Sequence, residues 1–240
     1  MAPDEAPRRV LLKLSGNTFA QAGRAVFDEE AIAYIAAELK AAAHAPAQIA
    51  VVVGGGNIIR GAQFCAVGPG RINADYAGML ATVINTLVLR DRLQSLGVAV
   101  AHYCAFPVHR IVETFEPGRC IADLEARKIV LLAGGTGNPM LTTDTAAALR
   151  AVEIGAGLVL KATRVDGVYS ADPEGDPQAK LFERISFQEV LARKLKVADL
   201  TAVSFCLEHS LPMRVFNYAV QGNIARAVAG EPVGTLIGGS

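Results

Sequence analysis

A chain of 240 residues that is 52% hydrophobic can bury a full core, and α/β chains of this length commonly form one domain. Twenty-three acidic and twenty-three basic residues cancel, so the broad positive field behind non-specific nucleic-acid binding is missing and any cationic site must be local. Charged residues break the longest apolar stretches short of a membrane span, and Met1 to Arg9 has no apolar signal core; we expect a soluble, cytoplasmic protein with neither membrane nor nucleic-acid partner.

Arg8 to Leu14 reads as a first strand, since Val10, Leu11, Leu12 and Leu14 form an apolar run stopped by Ser15-Gly16. Lys13 then stands near a strand's C-terminal end. Asp28-Glu29-Glu30 offers an N-cap and an acidic first turn to an amphipathic helix carrying Ile32, Ile35 and Leu39. Ile49 to Val53 is a near-continuous β-branched strand of the kind buried on both faces of a parallel sheet, and it runs into Gly54-Gly55-Gly56-Asn57.

From Ala74 to about Leu96 a long helix is expected, ending at Gly97, with Met79, Leu80, Val83, Ile84, Leu87, Val88 and Leu89 covering most of its circumference. Such a helix packs on the sheet with one face and on a partner subunit with another, or else is a central core helix. Val98 to Tyr103, Lys128 to Ala133 and Leu158 to Ala162 read as further strands, with a helix from about Thr143 to Gly155 before the last. Helical segments near Ser186 to Lys194 and Asp199 to Ser210, a strand at Met213 to Asn217 and a short helix around Asn223 to Ala229 complete the chain. Strands alternating with helices predict a largely parallel sheet covered on both faces.

Four cysteines without a C-x-x-C pair read as buried free thiols, and four histidines without helical zinc spacing as surface or core residues. The glycine turn after Val53 and a second one, Gly134-Gly135-Thr136-Gly137-Asn138-Pro139 after Ala133, let backbone N–H groups approach an anion that a Cβ would hold off. Neither has the lysine of a Walker A loop, and Ile59 and Met140 occupy the third-glycine positions of G-x-G-x-x-G. No Asp-Phe-Gly occurs, and His109-Arg110-Ile111 lacks a protein-kinase aspartate.

Individual polar residues remain open to two readings. Lys13-Leu14-Ser15-Gly16 is a phosphate-holding turn or a snorkelling edge lysine, and Arg60 is an anion ligand or solvated. Asp75 either caps the long helix or hydrogen-bonds ribose hydroxyls. The hydroxyls of Thr142-Thr143-Asp144 are caps or phosphate ligands, and Asp166-Gly167 with Asp172-Pro173 flank a hairpin-like Val168-Tyr169.

Together these segments resemble the bacterial uridylate (UMP) kinases of the amino-acid-kinase family over nearly the whole chain. The resemblance rests on Leu11 to Gly16, Val53 to Gly61, Asp75 with Gly78-Met79-Leu80-Ala81-Thr82, Gly135 to Pro139 with Thr142-Thr143-Asp144, Lys161 to Tyr169, Arg214 to Asn217 and Gly234 to Ile237. It implies a three-layer α/β/α sandwich with a central, mostly parallel sheet as a single domain, the acceptor-binding half at about 1–150 and the ATP-binding half at about 151–240. It implies transfer of the γ-phosphoryl group of ATP to UMP, giving UDP and ADP in pyrimidine nucleotide biosynthesis, by a homohexamer with possible GTP and UTP effectors.

Carried over by position, the resemblance places Lys13, Leu14, Ser15, Gly16, Gly56 and Arg60 on the ATP phosphates and Thr163, Tyr169 and Asp172 on its nucleoside. Gly55, Asp75, Thr136, Gly137, Asn138, Pro139, Met140, Leu141, Thr142 and Thr143 surround UMP, with Asp75 on the ribose and the Thr136 to Asn138 turn near the uracil. The catalytic set is Lys13, Arg60, Asp144 and Lys161: the lysines neutralise phosphate oxygens, Arg60 draws donor and acceptor together, Asp144 orients a lysine, and Mg²⁺ arrives with ATP without an assigned protein ligand. Asn17 departs from a common Glu, Met140 from a common aromatic, and Gln21 to Phe27 lacks extra glycines in a regulatory region. A relative acting on a carboxylate or carbamate, and a non-catalytic binding protein on the same scaffold, are the competing readings.

Overall fold

The computed structural model describes residues 8–20, 26–59, 70–171, 175–176, 178–195 and 197–238. The apolar runs become strands. They are β1 (Arg9–Leu14), β2 (Gln48–Val53), β3 (Val100–Cys104), β4 (Glu113–Thr114), β5 (Ile129–Ala133), β6 (Leu158–Thr163), β7 (Arg184–Ile185), β8 (Met213–Asn217) and β9 (Thr235–Ile237). They join one sheet in the order β4-β3-β5-β2-β1-β6-β8-β9-β7. The ladder is parallel from β4 to β8, and β9 returns antiparallel to β8 with β7 parallel to it.

The helices are α1 (Glu29–Ala42), α2 (Arg71–Ser95), α3 (Pro117–Glu125), α4 (Thr143–Glu153), α5 (Phe187–Ala192), α6 (Leu200–Glu208) and α7 (Asn223–Val228). Asp28 caps α1 by accepting the Ala31 N–H at 2.9 Å, as its acidic start suggested. Strand alternation sorts the core into two layers. Val10, Leu12 and Leu14 of β1 and Leu158, Leu160 and Ala162 of β6 pack with α1, α2 and α7, whereas Leu11 and Val159 face α3 to α6. This is the three-layer α/β/α sandwich.

The same alternation turns Lys13 and Lys161 toward the α4 layer. Register then sets them side by side, because Lys13 is the direct β-partner of Lys161. The chain leaves β1 for β2 on one side and enters β6 on the other, so the strand order reverses at this pair, and the crevice outside such strand ends is where open α/β sheets take ligands.

Two expectations about α2 change. Its first turn begins at Arg71 after Gly70, so Asp75 lies inside the helix and is not its N-cap. Its face is not apolar throughout either: Thr82, Asn85 and Thr86 are buried against the sheet, while Ile72, Tyr76, Leu80 and Ile84 form an exposed stripe at four-residue spacing. Among the described residues α2 is the one helix long and apolar enough to cross a membrane, yet it lies along β2, β3 and β5. Cys104, Cys120 and Cys206 are buried free thiols, and burial pushes Cys120 and Cys206 up to about 12; Cys65 lies outside the described residues.

Candidate active site

The first turn of α4 brings Asp144 over the paired lysines. Its Oδ1 is 2.7 Å from Lys13 Nζ and its Oδ2 2.5 Å from Lys161 Nζ. The three side chains keep only 12, 14 and 14% of their exposure for Lys13, Lys161 and Asp144, so this is a partly desolvated cluster with one excess positive charge. Burial alone would raise the Asp144 pKa, but the two ammonium groups outweigh it and hold the carboxyl below its ordinary value. Lys161 moves down because burial disfavours its charge, an effect Asp144 only partly offsets and Lys13 reinforces. An anionic phosphate entering here would restore what burial removes from Lys161.

A cavity of about 400 Å³ opens beside the cluster, lined by Asp144, Lys161, Val190, Leu191, Leu195 and Leu200. Its lining mixes Asp144, Lys161 and Lys194 with apolar side chains.

The two glycine turns and the Ser15-Gly16 turn sit at adjacent strand ends. A Cβ on Gly16 would lie 2.7 Å from Gly56 N and 2.8 Å from Gly54 O, so this glycine is what lets the turns after β1 and β2 touch. Leu14 is wholly buried, and Ser15 caps the short 3-10 turn Gly16–Phe19 by accepting the Asn17 N–H. Gly55 answers a packing need: a Cβ there would be 2.5 Å from Gly78 O and 2.9 Å from Ala81 Cβ on α2. Arg60 lies outside the described residues.

The second turn takes left-handed backbone at Gly134, Gly135 and Gly137, and also at Met140, which is 62% exposed. A methionine at φ 72° is uncommon, and a specific contact accompanies it: the Met140 N–H donates to Asp75 Oδ2 at 2.8 Å. Asp75 also accepts from Arg71 Nε at 2.9 Å, so α2 holds the second glycine turn through one carboxylate. Thr136 Oγ1 accepts the Asn138 N–H at 3.1 Å and Thr82 Oγ1 the Gly134 N–H at 2.7 Å. Pro139 and Leu141 flank Met140, and Thr142 caps α4, accepting from Asp144 N and Thr145 N.

At the β6 and β8 ends, Thr163 donates to Val165 O at 2.8 Å, and Tyr169 lies 3.4 Å from Asp166 Oδ2, its bridge to Leu181 keeping the hairpin-like segment. Asp172 lies outside the described residues. Among those described, no cluster of three His, Cys, Asp or Glu could cage a metal, and Asp144 is committed to two ammonium groups.

Sequence reading missed two supports. Asp199 caps α6, accepts Thr145 Oγ1 at 2.9 Å and binds Thr142 Oγ1, tying the Asp144 turn to α6. Arg150 is buried, stacks 4.3 Å over Phe115, pairs with Glu153 and donates to Thr136 O at 3.3 Å. An aspartate before a helix marks a cap, but nothing local reveals that the same carboxylate reaches back 54 residues.

Residues 8–217 match the amino acid kinase family. The uridylate kinase PUMPKIN of Arabidopsis thaliana chloroplasts is 46% identical over 234 residues, which cover 97% of this chain and 69% of that protein. The crystal structure of UMP kinase from Bacillus anthracis matches with a TM-score of 0.94 at 33% identity, covering 98% of this chain and 97% of the other. That of UMP kinase from Ureaplasma parvum gives 0.90 at 31%, covering 97% and 99%.

Proposed function

Because the chain belongs to the amino acid kinase family, we infer that it is a UMP kinase, moving the γ-phosphoryl group of ATP to UMP to give ADP and UDP. The observation that carries this reading is the Lys13–Asp144–Lys161 cluster at the strand-order reversal, between a cavity and two glycine turns. The UMP kinase relatives set the acceptor.

Phosphoryl transfer asks for alignment and for charge stabilisation. The attacking oxygen belongs to the UMP phosphate, whose second pKa of ~6 leaves it mostly ionised near neutrality, so no general base is needed. Asp144, held ionised by its two partners, acts by aiming the ammonium groups. Lys13 and Lys161 neutralise charge on the transferring group, and Arg60 draws the phosphates together. Mg²⁺ would arrive with ATP and would offset phosphate charge there, and no protein ligand is assigned to it.

The donor side comprises Lys13 to Gly16, Gly56 and Arg60 for the phosphates and Thr163, Tyr169 and Asp172 for the nucleoside. The acceptor side comprises Gly55, Asp75 and Thr136 to Thr143. The half at about 1–150 carries the acceptor site and the residues for the donor phosphates, and the half at about 151–240 carries the donor nucleoside. The stripe Ile72, Tyr76, Leu80 and Ile84 favours a homo-oligomer, read as a hexamer, since an apolar row of this kind on a surface helix marks an interface. Cytoplasmic location and GTP or UTP response belong to the same reading.

The test is ADP release from MgATP with UMP, CMP, an amino-acid panel, carbamate or no acceptor, repeated with GTP. Turnover confined to UMP is expected; turnover with a carboxylate or carbamate would replace UMP as the acceptor.

A further inference from the structure

Asn85 is completely buried at the middle of α2, although helix formation asks for no amide there and a leucine would fill an apolar interior without desolvating polar atoms. Its Nδ2 donates to Gly54 O and to Asn57 Oδ1, both at 2.7 Å, while its Oδ1 accepts from Asn57 Nδ2 at 3.1 Å. The partner amide is equally occupied. Asn57 Nδ2 also donates to Val26 O at 2.9 Å, and its Oδ1 lies where a Cβ on Gly16 would come within 2.6 Å. One pair of side-chain amides therefore ties α2 to the turn after β2 and to Val26 ahead of α1, and lies against the turn after β1.

The placement on the helix is informative. At 100° per residue, Asp75, Thr82 and Asn85 share one side of α2, and each holds backbone of a glycine turn: Met140 N–H, Gly134 N–H and Gly54 O. Asp75 and Thr82 hold the acceptor turn, whereas Asn85 alone among the three reaches the phosphate turn.

We propose that Asn85 is a positioning residue for phosphoryl transfer: through Asn57 it sets the Gly54–Gly56 backbone against the Lys13–Gly16 turn. The proposal rests on the UMP kinase reading. The doubly bonded amide pair holds the turn after β2 at one position on α2, and the Gly54 N–H donates to Leu14 O at 2.9 Å, so a shift of that turn is passed to the turn after β1. A displacement of about 1 Å in such a support is enough to cost on the order of 100-fold in rate.

The experiment measures kcat, KM for ATP and UMP, and the unfolding midpoint for Asn85→Leu, Asn57→Ala and the double variant. Each single variant should lose roughly 10- to 100-fold in kcat per folded molecule, with KM for UMP changed less than about twofold. The double variant should lose no more than the worse single one, because both remove the same link. Unchanged kcat per folded molecule, or losses that multiply, would overturn the proposal. Should Asn85→Leu fail to fold, Asn57→Ala on the half-buried turn decides alone by its kcat. Wild-type turnover reads the parent function separately: if another acceptor is used, the same comparison on that acceptor still decides Asn85, and if nothing is turned over both ideas fall.

Discussion

The lysine cluster and the acceptor turn both present polar groups at the sheet's C-terminal edge, but they are held in opposite ways. Lys13 and Lys161 are fixed by register in the centre of a nine-stranded sheet, where β1 and β6 are direct neighbours, and Asp144 is fixed by the first turn of a helix packed on those strands. The turn from Gly134 to Thr142 has no such frame. It takes left-handed backbone at four positions and is held by side chains from elsewhere: Asp75 and Thr82 of α2 and Arg150 of α4. The difference teaches that the charged cluster is built into the sheet, whereas the Gly134–Thr142 turn is hung on helix side chains; under the proposed function this separates charge stabilisation from acceptor recognition.

The sharpest way to break this comparison is to remove the group that organises the sheet-borne half. Asp144→Asn leaves two ammonium groups facing each other without a counter-charge, and kcat should fall by about two to three powers of ten. Steady-state kinetics at saturating ATP and UMP check it; a loss under tenfold would mean that Asp144 only caps or packs.

Next in size is a pH effect on the helix that carries the acceptor contacts. His102 on β3 is buried, sits 2.8 Å from Thr86 of α2, and is pushed from 6.5 down to about 4 by burial and the nearby Arg90 charge. The folded chain therefore keeps it neutral while the unfolded chain binds a proton. Its contribution to stability is complete above pH 6.5 and is lost as pH falls toward 4, by at most roughly 3 kcal/mol. Urea unfolding across that window should show the decline, and His102→Gln should flatten it; identical slopes would place the acid sensitivity elsewhere.

A smaller perturbation sharpens the acceptor side alone. Thr82→Val removes the acceptor of the buried Gly134 N–H, so stability should drop by about 1 kcal/mol and KM for UMP rise by about threefold, with kcat nearly unchanged. A fall in kcat with constant KM would join the two regions that the structure keeps apart.

The readable parts of the molecule were those dictated locally. Runs such as Leu11-Leu12 and Val51-Val52-Val53 bury both faces of central strands, so the parallel sheet and its helical layers were visible in the pattern. Lys13 and Lys161 stood out because each interrupts such a run near its end. The two-residue strands β4 and β7 went unread, being too short to show a period, whereas the helix Pro117–Glu125 was passed over although Pro117 opens it and Cys120 and Leu124 bury one face. The cap reading of Asp75, one of two left open, fails because Gly70 starts the helix without a side-chain signal. Asn85, Asp199 and Arg150 were passed over because their meaning lies in partners 28 to 57 residues away, or in a ring reached only in the fold.

The central claim, that one region serves charge and the other serves acceptor, is tested most directly by full kinetics on Lys13→Ala and Asp75→Asn measured side by side. Lys13→Ala should lower kcat by about two to three powers of ten with little change in KM for UMP. Asp75→Asn should raise KM for UMP by about tenfold with kcat nearly intact, since it weakens the acceptor of the Met140 N–H and, under the proposed function, of a ribose hydroxyl. If both variants move the same kinetic parameter by similar amounts, the division between a sheet-borne reacting centre and a helix-hung acceptor turn is wrong.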